Sequence, residues 1–210
     1  MDIYSIGHTN HTIDNFILML IKQNINCIVD VRSTPFSKYT PQFNKEILRE
    51  SLNIKGIHYL HMGKEFGARK ENTLLYTKEG YLDFQKARND NDFLSGVERL
   101  KDGCEKGFKI ALMCTEKDPF DCHRAIMVSK GLKDNGFNVK HILSDNTIQT
   151  QEKIEERLLD KYYPDRFQIS FFAYWGEKNT IEEMIEEMIE EAYKRRNAEI
   201  GYRIEGEGND

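Results

Sequence analysis

The sequence contains no apolar run approaching the roughly 18 residues that a membrane span needs, so no membrane partner is expected. Its N-terminus reads as the start of a strand rather than a signal peptide, which points to a cytoplasmic protein. Basic charge is not in surplus. Thirty lysines and arginines stand against 35 aspartates and glutamates, a net charge of −5. That balance argues against wholesale coating of nucleic acid, because duplex binding leaves a basic footprint. Much of the acid sits in one late helix, however, which leaves room for a basic cleft elsewhere. No two of the four cysteines form a Cys-x-x-Cys pair. Without secretory features, they read as core, metal or catalytic thiols in a reducing compartment, not as a disulfide scaffold. There is no solenoid-type repeat. A hydrophobic share of 39% over 210 residues is enough for one core, and suits a single domain with an appendage.

What is present is an alternation of apolar strands and amphipathic helices. Strands are expected at residues 3–6, 27–31, 57–60, 109–114 and 139–143. Between them, Thr12 caps a helix with Ile13, Phe16, Ile17, Leu20 and Ile21 on one face. Asn44 opens a short helix with Ile47, Leu48 and Leu52 inward. A helical stretch from Gly80, broken at residues 89–92, continues through Phe93, Leu94, Val97 and Leu100. Asp121 is expected to cap a helix from Cys122 to about Asn135, which Gly136 ends. Strands separated by helices imply an α/β fold: an open, mostly parallel, doubly wound (Rossmann-like) sheet of about five strands, over residues 1–145.

A helical, aromatic-rich C-terminal extension follows over residues 146–200. Residues 147–163 read as a helix with Ile148, Ile154, Leu158 and Leu159 inward. Phe167, Phe171, Phe172, Tyr174 and Trp175 read as anchors of the extension. From Thr180 a second helix carries the stripe Ile181, Met184, Ile185, Met188 and Ile189, a candidate homodimer contact over 180–196, with pairs Glu190–Lys194 and Glu191–Arg195. Residues 201–210 read as a mobile tail.

Ligands of a parallel sheet collect beyond the carboxyl ends of its strands. Those ends hold Gly7 and His8, Asp30 and Arg32, His61, Cys114 and Glu116, and Ser144 and Asp145. The segment from Cys114 to Arg124 is the most distinctive. Cys114 lies where a buried strand emerges, and Cys122, His123 and Arg124 fall in a first helical turn, whose free N–H groups favour anions and thiolates. The plainer readings are a buried cysteine, a helix start with incidental polar residues, and a strand-end ion pair of Asp30 with Arg32. The long loops 32–43 and 61–80, rich in hydroxyl and basic groups including Lys64, Arg69 and Lys70, suit a phosphate-bearing ligand.

Ile-Gly7-His8-Thr, Val-Asp30-Val-Arg32-Ser-Thr-Pro35 and Cys114-Thr-Glu116 leading into Cys122-His123-Arg124 together resemble the family called domain of unknown function 488. The resemblance extends over roughly the first 145 residues and includes the stretch around Tyr59. It implies a fold and the position of a site, not a reaction.

The first expectation is therefore an enzyme for a phosphate-containing or nucleotide-like substrate. In it Cys114 is the nucleophile, with His8, Glu116 and Asp30 in the catalytic set, while Arg32, Cys122, His123, Arg124 and Tyr59 bind substrate. The second is a zinc- or iron-binding module using Cys114, Cys122, and His123 or His8. The third is a non-catalytic nucleic-acid-binding module using the loop lysines and the late aromatics.

Overall fold

The computed structural model describes residues 1–9, 11–166 and 181–204. Its sheet runs β1 Asp2–Gly7, β2 Cys27–Asp30, β3 His58–His61, β4 Ile110–Cys114, β5 Asn138–Ile142 and β6 Ile148–Thr150. The spatial order is β3-β2-β4-β1-β5-β6. The first five strands are parallel, and β6 pairs antiparallel with β5. The open, mostly parallel sheet is as expected, with a short sixth strand added to the five expected. The chain turns at Asn146 (φ 66°) and closes a hairpin through Leu143 N–H and the Thr147 carbonyl at 2.9 Å. The stretch from Thr147 to Thr150 therefore extends along β5 rather than coiling, and Ile148 is exposed at the sheet edge.

Alternation along the strands sends residues to two cores. Ile3, Val29, Leu112 and Cys114 join one face; Ile6, Ile28, Ala111 and Met113 join the other. Helices cover both, as a doubly wound sheet requires. On the second face lie α1 Ile13–Lys22, capped by the Thr12 side chain, and α2 Lys45–Asn53. Phe16, Ile17, Leu20, Leu48 and Leu52 are buried there, whereas Ile21 and Ile47, though in the expected stripes, are exposed.

On the first face, α3 Gly63–Phe66, α4 Phe84–Arg88 and α5 Asn91–Glu105 contribute Phe66, Phe84, Phe93, Val97 and Leu100, while Leu94 faces outward. The single helix expected from Cys122 is in fact two pieces, a π-helical segment Arg124–Ser129 and α6 Lys130–Asp134, preceded by a 3-10 turn Pro119–Asp121. Ser129 Oγ donates to the Arg124 carbonyl at 2.7 Å, a bond that spans the widened turn.

After β6, α7 Gln151–Tyr162 buries Ile154, Leu158 and Leu159 on the first face. Helix α8 Ile181–Ile200 packs on α7, and of its expected stripe Ile189 is partly buried against the first core. Ile181 and Ile185 are exposed, and the buried positions are Ala192, Tyr193, Arg196 and Asn197. Glu190 pairs with Lys130 at 2.7 Å, and Glu191 with Arg195 at 3.4 Å. Residues 201–204 are held, not loose: Leu82 N–H donates to the Tyr202 carbonyl at 2.9 Å and Ile204 N–H to the Gly80 carbonyl at 3.0 Å. The aromatics from Phe167 to Trp175 lie outside the described residues.

Candidate functional site

Strand β4 lies between β1 and β2, so Cys114 at its end meets loops from both neighbours. The loop from Thr115 to Asp121 is shaped by three contacts. Gly7 allows it to cross the end of β1, because a Cβ there would overlap the Glu116 carbonyl. Arg124 ties it down from below, donating to the Glu116 carbonyl at 2.6 Å and the Lys117 carbonyl at 3.2 Å. Asp118 accepts from Phe120 N–H at 2.9 Å and is gripped by both terminal nitrogens of Arg157, at 2.9 and 2.7 Å.

The loop returns Cys122 beside Cys114. Cys122 is extended (φ −126°, ψ 138°), and its carbonyl accepts from Ala125 and Ile126 N–H, so it stands at the N-cap of the following helical segment. Its sulphur accepts from Arg124 N–H at 3.4 Å. Both sulphurs reach the same Glu116 Oε2, Cys114 at 3.1 Å and Cys122 at 2.8 Å. His123 Nε2 lies 3.3 Å from the Val31 carbonyl, to which it donates. That fixes the tautomer and leaves the Nδ1 lone pair facing the thiols, at 3.7 Å from Cys114 and 4.0 Å from Cys122. One donor atom from each of Cys114, Glu116, Cys122 and His123 lies within 4.8 Å of all the others.

Three acidic groups in one buried spot compete for charge. Burial works against a thiolate at Cys122, yet its bond with Cys114, the Arg124 charge and His123 hold it well below the ordinary thiol value. Cys114 is pushed well above that value by the same bond, by burial and by the negative charges beside it. Burial and the Cys122 charge push Glu116 upward. His123 is raised despite its burial, because Cys122 and Glu116 favour its proton. The surroundings thus favour the thiolate at Cys122 and the protonated forms of Cys114 and Glu116, each relative to its ordinary value.

The remaining expected residues form a neighbouring layer. Asp30 takes Arg32 in a two-point pair at 2.9 and 2.6 Å and accepts from the Tyr59 hydroxyl at 2.7 Å. Arg32 also donates to the Phe43 carbonyl at 2.8 Å and lies 3.3 Å from His8 Nε2. His8 stacks on Phe43 at 4.3 Å, away from the four-donor cluster. Burial and the nearby Arg32 charge pull its pKa down to about 4, leaving the ring neutral.

Arg124 is fully buried, and its third contact, Nε to Ser5 Oγ at 3.3 Å, points away from the loop. The donors of both arginines thus already have protein partners. A cavity of about 290 Å³ opens beside the cluster; Cys114, Glu116, His123 and Arg32 line it, and Cys122 lies deeper. Among the lining residues missed as site residues are Arg69, legible only as loop charge, and Tyr202, which the sequence offered only as tail.

The family model described as "Domain of unknown function DUF488" matches residues 12–130, more than half of the chain. The chain belongs to this family. The DUF488 match contains all four donors and the Asp30–Arg32 pair, but begins after Gly7 and His8 and ends before the residues that bring Tyr202 to the cavity. No curated protein and no solved structure matches the chain.

Proposed function

We propose that the chain binds a transition-metal ion, zinc by preference, at Cys114, Cys122, His123 and Glu116, and that this centre acts on a small substrate entering the adjoining cavity. The observation that carries the reading is the convergence of four donor atoms within 4.8 Å. With zinc–sulphur bonds of about 2.3 Å and zinc–nitrogen or –oxygen bonds of about 2.0–2.2 Å, the edges of a tetrahedral site run ~3.3–3.8 Å. The sulphur–oxygen and sulphur–nitrogen separations of 2.8 to 4.0 Å bracket that range. A divalent ion also resolves the competition for protons, since it replaces those shared by the two thiols and the carboxyl group. His123 has the carbonyl partner on its far nitrogen that metal-bound histidines ordinarily have. Such an ion would supply Lewis acidity toward water or substrate where Glu116 yields its place, since four protein donors otherwise close a tetrahedral site. The chain's residues supply its place: Val31 aims the imidazole, Arg124 holds the loop that carries Glu116, and the helical N-cap favours the Cys122 thiolate.

The second reading is an enzyme that attacks a phosphate-containing substrate with Cys114. Its support is that Cys114, Glu116 and His123 line the cavity together. Geometry favours the metal reading, because two thiols, a carboxyl group and an imidazole converge on one spot and both sulphurs are almost fully buried from an incoming substrate.

The test is metal content of the purified chain together with cobalt(II) substitution. We expect one metal per chain and intense sulphur-to-cobalt absorption, both lost in Cys122→Ser and strongly reduced in His123→Ala. A folded wild-type chain that takes up neither zinc nor cobalt would sink the proposal.

A further inference from the structure

We propose that the cavity beside the donor cluster selects a small phosphate monoester, and that Arg69 is the residue that recognises its charge. The inference rests on the reading of that cavity as the substrate's place. It begins with which charges facing the cavity are already compensated. Arg32 is paired with Asp30, Asp121 with Arg196, and Glu116 is turned toward the thiols. Arg69 has no carboxylate partner among the described residues. Its guanidinium lies over the Tyr202 ring at 4.7 Å, which orients a cation without neutralising it.

The backbone beneath Arg69 is fixed as well. Its N–H donates to Ser33 Oγ at 2.9 Å, and Gly67 admits Ser33 closely, since a Cβ at Gly67 would lie 2.5 Å from that oxygen. The side chain therefore starts from an anchored position and ends on an aromatic face.

The other donors indicate the shape of the anion. Ser33, Thr34 and Thr115, three hydroxyl-bearing residues, line the same cavity as Arg69. Guanidinium forks match carboxylate and phosphate alike, but a fork in the company of three hydroxyl residues suits the three terminal oxygens of a monoester better than a planar carboxylate. Size limits what carries the phosphate. About 290 Å³ is at the lower bound of small-molecule sites, and Ile200 and Tyr202 stand on its wall, so a metabolite-sized ester fits where a nucleic-acid strand does not.

Arg69 thus takes the part that the sequence assigned to Arg32 and Arg124, and Tyr202 acts as a positioning residue through it. The test is calorimetric titration of the full chain with inorganic phosphate and, separately, with acetate, with metal content measured on the same samples. Wild type is expected to bind phosphate saturably and acetate much more weakly. Losing a hydrogen bond to a charged group should make Arg69→Gln bind phosphate roughly ten- to a hundredfold more weakly, with metal content unchanged. Tyr202→Ala should weaken binding to a lesser degree, and Tyr202→Phe, which keeps the ring, should restore it. Absent phosphate binding, equal affinity for acetate, or an Arg69→Gln variant as tight as wild type would overturn the proposal. Wild-type protein that takes up neither zinc nor cobalt yet binds phosphate through Arg69 would overturn the metal reading alone.

Discussion

Among single residues, the Asp30–Arg32 pair carries the largest energetic stake outside the donor cluster. Both side chains are buried, and Asp30 also holds the Tyr59 hydroxyl. Removing one partner of such a pair leaves a charge in the protein interior, which costs about 3–5 kcal/mol. Asp30→Ala should lower unfolding free energy by that amount in denaturant titrations, and adding Arg32→Leu should recover part of it. A loss below about 1 kcal/mol, the level of an exposed pair, would refute the argument. This pair was legible in the sequence, as two opposite charges one residue apart at a strand end. The partnership of Cys114 with Glu116 and His123 was legible only as proximity along the chain. The way the loop folds back depends on Gly7 and Arg124, and no local pattern records that crossing. Arg69 shows the converse, since its lack of a carboxylate partner among the described residues appears only once their other charges are placed.

At the scale of elements, the loop after β4 is the part that the sequence least specified. Hydrophobic periodicity located the strands and most helices, because each buries a regular face of its own. It misread the segment from Cys122 to about Asn135 as one α-helix, because Ile126, Met127 and Leu132 are buried along a path that is first π, then α. It also misread β6, where β-branched Thr147, Ile148 and Thr150 follow a left-handed Asn146, a signal for a hairpin. The crossing at Gly7 gives the prediction for this scale. Gly7→Ala would push the Glu116 carbonyl off the end of β1 and shift the carboxyl group with it. We expect a folded protein, lowered in stability by a few kcal/mol as overpacked sites are, with cobalt affinity reduced at least tenfold. Wild-type cobalt affinity in that variant would show that the loop's path does not govern the cluster.

Across the whole molecule, one buried polar chain links the cluster's supports to the last helix. Arg124 reaches Ser5, Ser5 meets His141 Nδ1 at 2.6 Å, and His141 Nε2 meets Gln151 at 2.7 Å. Gln151 donates to the Tyr193 hydroxyl at 2.7 Å, and that hydroxyl donates to Glu155 at 3.3 Å. His141 is wholly buried within this chain, and burial with the Arg124 charge lowers its pKa from 6.5 to about 4. The unfolded chain takes up a proton below pH 6.5, which the folded protein refuses until about pH 4. Stability present above pH 6.5 is therefore lost as pH falls toward 4, with His141 contributing up to about 3 kcal/mol. His8 shares the direction. Unfolding free energy measured from pH 7 to 4 should fall more steeply in wild type than in His141→Gln, and identical slopes would disprove the role of His141. The same helix places Arg196 against the Phe120 carbonyl at 3.1 Å and against Asp121, so the loop between the two thiols is clamped from the far end of the sequence.

The order in which the cavity's walls occur along the chain has a consequence during synthesis. All four donors, and the strands that present them, have left the ribosome once residue 124 has, whereas Ile200 and Tyr202 are made some 75 residues later. At a translation rate of about 5–20 residues per second, that leaves an interval of several seconds in which the donors exist without their outer wall. An ion of the proposed kind would therefore meet the donors before Tyr202, the last residue of the cavity wall, has been made.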